Sequence, residues 1–151
     1  VRALLQRVSR AEVRVNGETV GSIRGGLVIF LGVAPDDDAS VAGALAAKAA
    51  GLRIFADSAG LTNLSIADAG GSVLVVSQFT LYADTRKGRR PSFIRAAGPE
   101  LGERLYEAFC DALAESGLAV ERGRFGAHME VELVNDGPFT VWLDSGELRI
   151  G

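Results

Sequence analysis

Two apolar runs, each released by a pair of glycines, constrain the fold more than any other feature of this 151-residue chain. Gly25-Gly26 leads into Leu27–Val33, an almost unbroken succession of Leu, Val, Ile, Phe and Leu, and Gly70-Gly71 leads into Ser72–Ser77. Runs of this length that end in turn residues are strands. Their lack of polar alternation means that both faces are covered. The chain must therefore build a sheet around a central strand.

The remaining elements fall around these two runs. Arg2–Arg7 and Ala11–Val15 show partial alternation, with Val13 and Val15 opposite in direction to Glu12 and Arg14. Asn16-Gly17 is a hairpin signal, because a type I′ turn needs positive φ at both central positions, and Glu18–Ile23 is the return strand. Pro35 and the run Asp36–Asp38 stop the sheet and cap a helix expected over Ala39–Arg53, with Val41, Leu45, Ala49 and Leu52 on its inner stripe. Three adjacent carboxylates without further ligands fit capping better than a metal site. Ile54-Phe55 and Leu64–Ile66 are short strand candidates on either side of the turn at Asp57–Gly60. A second helix begins at Gly98-Pro99-Glu100, carries Leu101, Leu105, Phe109 and Leu113 at every fourth position, and ends at Ser116-Gly117. Strands are expected at Leu118–Arg122, Ala127–Val134 and Phe139–Leu143, with Asn135–Thr140 as a turn between the last two and a polar tail over 144–151. The expectation is one domain over 1–151, of mixed α/β class, with much antiparallel sheet and two main helices.

Composition removes several function classes. A content of 48% hydrophobic and 23% charged residues is that of a globular protein. No apolar run approaches membrane-span length, and the N-terminus lacks a signal-peptide pattern, so a cytoplasmic location is expected. One cysteine, Cys110, forms no internal disulfide and falls beside the buried stripe of the second helix. The lone His128 cannot build a His-rich metal site. A net charge of −3 argues against broad polyanion binding but leaves room for a local basic patch.

Four stretches carry possible chemistry. Ser77-Gln78-Phe79-Thr80 ends a buried strand, where polar groups are held rigidly at the edge of a core. Thr80 is a nucleophile only if a base stands beside it, and no neighbouring motif supplies one. Ala83–Arg90 reads as a loop whose Arg86, Lys87, Arg89 and Arg90 are either a solvated face or a phosphate contact. His128 and Met129 face opposite sides of a strand, so one of them belongs to the core. Gly137-Pro138 is either a quiet edge loop or a rigid polar feature, since a Gly-Pro bond adopts cis at a cost of about 0.5–1 kcal/mol.

Taken together, Ser77-Gln78-Phe79-Thr80-Leu81 and Asn135-Asp136-Gly137-Pro138-Phe139-Thr140 closely resemble the paired signatures of the bacterial and eukaryotic D-aminoacyl-tRNA deacylases. Leu5–Val8, Gly32-Val33, Arg53–Phe55, Gly70–Val76, Arg90–Phe93 and Gly123–Phe125 also fit, in order, from residue 2 to about 143. The resemblance implies a barrel-like, largely antiparallel sheet packed with two helices. It implies a homodimeric hydrolase of the ester joining a D-amino acid, or mischarged glycine, to tRNA, without metal or cofactor. It implies a cis bond at Gly137-Pro138, inserted opposite Ser77–Thr80 of the partner chain, with Asn135 and Thr140 in the same motif and Arg7 supporting it. Phe125 and Met129 would line the pocket, and N–H groups near Phe79 and Thr80 would hold the carbonyl oxygen. Attack would depend on main-chain groups and the 2′-hydroxyl of the tRNA, with Thr80 as the competing nucleophile. Arg86, Lys87, Arg89 and Arg90 would meet the tRNA acceptor end. The alternative from another class is a non-catalytic tRNA- or amino-acid-binding module on the same fold.

Overall fold

The computed structural model describes residues 1–148. Its spine is β1, Arg2–Val15, which pairs with three other strands. Along one edge β1 pairs antiparallel first with β3 (Gly26–Gly32) and then with β2 (Glu18–Ile23), while its other edge pairs with β8 (Glu130–Asp144). Beyond β3 lie β6 (Ser72–Ser77) and β7 (Val120–Arg122), both joined in parallel. β2 curls back towards β7, where the Ser22 N–H donates to Glu121 Oε1 at 3.3 Å, so the sheet almost closes into a barrel. A separate ribbon pairs β4 (Phe55–Ala56) with β5 (Thr62–Leu64).

Both apolar runs lie side by side as β3 and β6, and each feeds two cores. Leu27, Ile29, Leu31, Val73 and Val75 face the helices, whereas Val28, Leu74 and Val76 face the barrel interior with Val8, Ala11 and Val13. On β1 the helix-facing side chains are Ala3 and Leu5, but Ala11 and Val13 point into the barrel. This change of parity follows from a bulge between Val8 and Arg10, because one extra residue turns every later side chain to the opposite face. The same bulge joins the two expected strands Arg2–Arg7 and Ala11–Val15 into one.

α1 (Ala39–Gly51) starts as the acidic run predicts: Asp38 is the N-cap and accepts from the Val41 N–H at 2.9 Å. It stops two residues short of the expected Arg53, which instead binds the Asn63 carbonyl at 2.9 Å. Its inner stripe is Ala42, Leu45, Ala46 and Ala49, with Val41 and Leu52 only partly buried, so small side chains bring the helix close. α2 (Pro99–Glu115) packs beside α1 through Leu105, Tyr106, Phe109, Cys110 and Leu113. The buried Tyr106 hydroxyl donates to the Val75 carbonyl at 2.8 Å, tying helix to sheet. Burial pushes the Cys110 thiol up to about 12, which fits an inert core side chain.

Some boundaries differ from the sequence reading. Leu64–Ile66 is replaced by Thr62–Leu64; the strand expected at Leu118 starts at Val120, and the one expected at Ala127 starts at Glu130. The larger correction concerns Asn135–Thr140, which reverses nothing. β8 is one strand of 15 residues running straight through it. Opposite Val8 and Gln6 on β1 stand Asn135 and Thr140, so β8 spends three more residues than its partner there and pushes them outward. A proline can sit there because the looped-out residues leave the ladder, where its missing N–H costs nothing. The first part of the tail is not merely polar: Ser145–Glu147 turns back on Asp144, and Leu148 packs against the helix-side core. Residues 149–151 of the expected tail lie outside the described residues.

Candidate functional site

The carboxyl ends of the two parallel strands open into a cavity of about 550 Å³. This is where ligands collect on parallel sheets, since strand ends expose backbone groups beyond the last ladder bonds. Leu31 and Val33 come from the end of β3, and Val76, Ser77, Gln78 and Phe79 from the end of β6. The opposite wall is the segment Phe125–Met129 leading into β8, and the third is Phe93, Ala96, Ala97, Pro99 and Gly102 at the start of α2. The lining is mainly apolar.

The floor of the cavity owes its shape to a change of structure after Ser77. Gln78 makes one more bond to the sheet, its N–H donating to the Leu31 carbonyl at 2.7 Å, and the chain then tightens into a single 3₁₀ turn over Phe79–Tyr82. The turn packs so closely on β3 that a Cβ at Gly32 would stand 3.1 Å from the Gln78 carbonyl oxygen and 3.2 Å from Leu81 Cβ. Phe79 and Thr80 are the first residues of this turn, and leading N–H groups of such a turn have no acceptor inside it. The Thr80 hydroxyl accepts from the Gln78 side-chain amide. No His, Asp or Glu hydrogen-bonds to it among the described residues. His128 is in the cavity wall, but no hydrogen bond joins it to Thr80 among the described residues.

The second signature forms a ledge on the outer side of β8. Asp136, Gly137 and Pro138 are exposed, and the Gly137-Pro138 bond is cis. Three side chains hold the ledge in place, the least of them Gln6, whose Nε2 donates to Thr140 Oγ1 at 3.3 Å. Asn135 spans it from within: Oδ1 accepts from the Phe139 N–H at 3.0 Å, and Nδ2 donates to Thr140 Oγ1 at 2.9 Å. From β1, Arg7 donates through Nε to the Asp136 carbonyl at 3.1 Å and through Nη1 to the Ile54 carbonyl at 2.6 Å. Its guanidinium also lies 4.9 Å from the centre of the Phe139 ring. Gly137 has a φ of 130°, which L side chains rarely adopt, and a Cβ there would stand 2.9 Å from Arg7 Nη2 and 3.1 Å from the Phe139 nitrogen, so the position favours glycine.

The predicted site residues therefore form two groups. Ser77, Gln78, Phe79, Phe125 and Met129 meet around the cavity, and Thr80 stands just outside its lining. Arg7, Asn135, Gly137, Pro138 and Thr140 form the ledge, and none of them lines the cavity. The basic loop is a third feature. Arg86, Lys87 and Arg90, with Asp84 and Ser92, surround a second concavity, while Arg89 is exposed outside it. Arg86 is already engaged: Nε and Nη2 donate to the two Asp84 oxygens at 2.9 and 2.7 Å, and its backbone N–H also reaches Asp84. These hydrogen bonds from Arg86 hold the Asp84 carboxyl down at about 2. The third wall of the cavity and the exposed Arg95 were not identified from sequence. Phe93, Arg95, Ala96 and Ala97 stand in a stretch without periodicity, and Pro99 and Gly102 read only as the first turn of the second helix.

These elements define a barrel-type α/β domain with an apolar cavity at its strand ends and an exposed, clamped ledge on its outer strand. The chain belongs to the D-Tyr-tRNA(Tyr) deacylase family, whose model matches residues 4–144. It is 60% identical over 148 residues to the D-aminoacyl-tRNA deacylase of Anaeromyxobacter dehalogenans, covering 98% of this chain and 99% of that one. It is 59% identical over 145 residues to the enzyme of the same name from Symbiobacterium thermophilum, covering 96% of each. Among solved structures, one described as a c-Myc DNA unwinding element binding protein superimposes with a TM-score of 0.89 at 36% identity, over 95% of this chain and 98% of that one. A probable eukaryotic D-amino acid tRNA deacylase gives 0.80 at 20% identity, over 94% and 97%, and that likeness concerns the fold alone.

Proposed function

We propose that this chain is a D-aminoacyl-tRNA deacylase that works as a homodimer, hydrolysing the ester between a D-amino acid, or glycine, and the tRNA 3′ end. The observation that carries the reading is the separation of the two signatures. One lines a concave cavity and the other forms a convex ledge, and they do not meet within a protomer. Two-fold pairing brings them together twice, placing Gly137 and Pro138 of the partner subunit opposite Ser77–Thr80. β8 supports such pairing: its outer edge has no strand partner among the described residues, and Val134 and Trp142 are 40% and 44% exposed upon it. An unpaired edge of that length is a surface that folded proteins cover.

In this arrangement the ledge occupies the space an L side chain would need. Selection acts by exclusion rather than by a fitted side-chain pocket, so glycine and diverse D-residues are accepted together. The leading N–H groups of Phe79 and Thr80 receive the carbonyl oxygen as negative charge develops on it. With Thr80 bound to Gln78 and lacking a base, water attacks with the help of main-chain groups and the 2′-hydroxyl of the terminal adenosine. Within the basic loop, Arg86 holds the loop to Asp84, and Lys87, Arg89 and Arg90 meet phosphates. The setting is the cytoplasm, where charged tRNA is found.

The test is hydrolysis of D-tyrosyl-tRNA beside L-tyrosyl-tRNA and glycyl-tRNA, with chelator present. Release of tyrosine from the D form and glycine from its ester, with the L form spared, is the expected result. Equal cleavage of both tyrosyl esters removes the ledge mechanism, and cleavage of neither leaves a binding module.

A further inference from the structure

Phe93 lines the cavity and is followed in the chain by a second exposed apolar side chain, and hydrolysis alone requires neither. Phe93 is 39% exposed and Ile94 84% exposed, in consecutive positions. The segment that holds them is pinned, not loose. The Ser92 N–H donates to the Asp84 carbonyl at 2.9 Å, the Ala96 N–H to the Phe93 carbonyl at 3.0 Å, and the Ala97 N–H to the Val33 carbonyl at 2.8 Å. Phe79 braces Phe93 from the side, their ring centres 5.1 Å apart and the planes inclined by 75°. Positive charge runs up to this place. Ser92 belongs to the concavity of Lys87 and Arg90, Phe93 to the cavity, and the exposed Arg95 follows without an ion pair among the described residues. Arg95 also helps to hold the Asp84 carboxyl down, after the larger effect of Arg86, so it acts on the same charged surface.

We propose that Phe93 and Ile94 form a stacking platform for the penultimate base of the tRNA 3′ end, with Arg95 meeting the adjoining phosphate; this rests on the deacylase reading. An aromatic face alternating with cations is the pattern that binds single-stranded nucleic acid, because every base offers a π face and every step a phosphate. The platform lies between the cavity, which takes the aminoacyl ester, and the basic loop, which takes the preceding backbone. It holds the 3′ end without reading its sequence.

Three substrates separate the contributions: D-tyrosyl adenosine, the D-tyrosyl ester of cytidylyl-adenosine, and D-tyrosyl-tRNA. For Phe93→Leu, the increase in KM relative to wild type is expected to be about tenfold greater for the dinucleotide and the tRNA than for the nucleoside, with little change in kcat. Phe93→Trp is expected to restore KM. Arg95→Gln should lower the salt dependence of tRNA binding by about 0.7 in log–log slope, one phosphate contact on a single strand. Equal increases on all three substrates, or none on any, would overturn the platform while leaving the deacylase in place. Wild-type inactivity towards all three overturns the deacylase reading and this inference together.

Discussion

The cavity and the ledge are built by opposite means. The cavity is a hollow left where two buried parallel strands end, with its walls set by the packing of α2 and the segment before β8. The ledge is a protrusion from an outer strand, and polar bonds from Asn135 and Arg7 hold it instead of a core. Packing tolerates small changes in side chain better than a few directed bonds do, because loss of one bond frees a whole exposed segment. Variants at the ledge should therefore change selectivity, and variants at the cavity should change affinity.

The largest effect is expected for Arg7→Ala. It removes two charge-assisted bonds and leaves the Ile54 carbonyl without its donor. A ledge displaced by about 1 Å should lower kcat/KM for D-tyrosyl-tRNA roughly 100-fold and blur the distinction from the L ester. Stability should fall by about 2–3 kcal/mol in urea titrations. Unaltered discrimination would show that the ledge is not the filter.

The basic loop should stand apart from both regions. Lys87→Gln with Arg90→Gln is expected to weaken D- and L-aminoacyl-tRNA binding equally, by about tenfold. Each lost phosphate contact should flatten the salt dependence by roughly 0.7 in log–log slope. A change in the D/L ratio would tie the loop to the filter after all.

A smaller effect probes the cavity alone. A Cβ at Gly123 would lie 2.8 Å from Met129 Sδ, the far end of a flexible side chain, so Gly123→Ala should swing Met129 into the cavity. KM should rise about threefold while stability stays within about 1 kcal/mol and the D/L ratio holds.

The smallest effect belongs to the core behind both regions. The Cys110 thiol is raised by burial from 9.0 to about 12, so the folded state favours the neutral form more than the unfolded state does. Its contribution to stability is complete below about pH 9 and is lost as pH climbs towards 12, by about 1 kcal/mol at pH 10. Cys110→Ala should flatten part of that alkaline decline in thermal melts, and native Cys110 should resist thiol reagents at pH 8.

The sequence made much of this architecture legible. Runs without alternation marked β3 and β6, Asn16-Gly17 marked its hairpin with φ of 51° and 80°, and the acidic run marked the start of α1. These features depend on local chemistry. The continuity of β8 was not legible, because Asn-Asp-Gly-Pro has the composition of a reversing turn and only its pairing with β1 keeps it straight. The ledge's support by Arg7 was expected from resemblance, but its bond to Ile54 depends on a contact 47 positions away. Asp84 was overlooked as the clamp on Arg86, although two residues apart in a polar loop is a spacing that permits one. Phe93 and the start of α2 gave no signal as a cavity wall, since only tertiary packing brings them there.

Completion of each active site by the ledge of the partner subunit, as proposed above, is open to a direct test by subunit mixing. Arg7→Ala disables the ledge and Ala127→Trp fills the cavity, so each homodimer should be nearly inactive. After exchange of equal amounts, half of the dimers are mixed, and each mixed dimer has one site with an intact cavity and an intact ledge. Activity should return to about one quarter of the wild-type value. If each protomer instead completes its own site, no mixture contains an unaltered site, and activity stays at the level of the two variants.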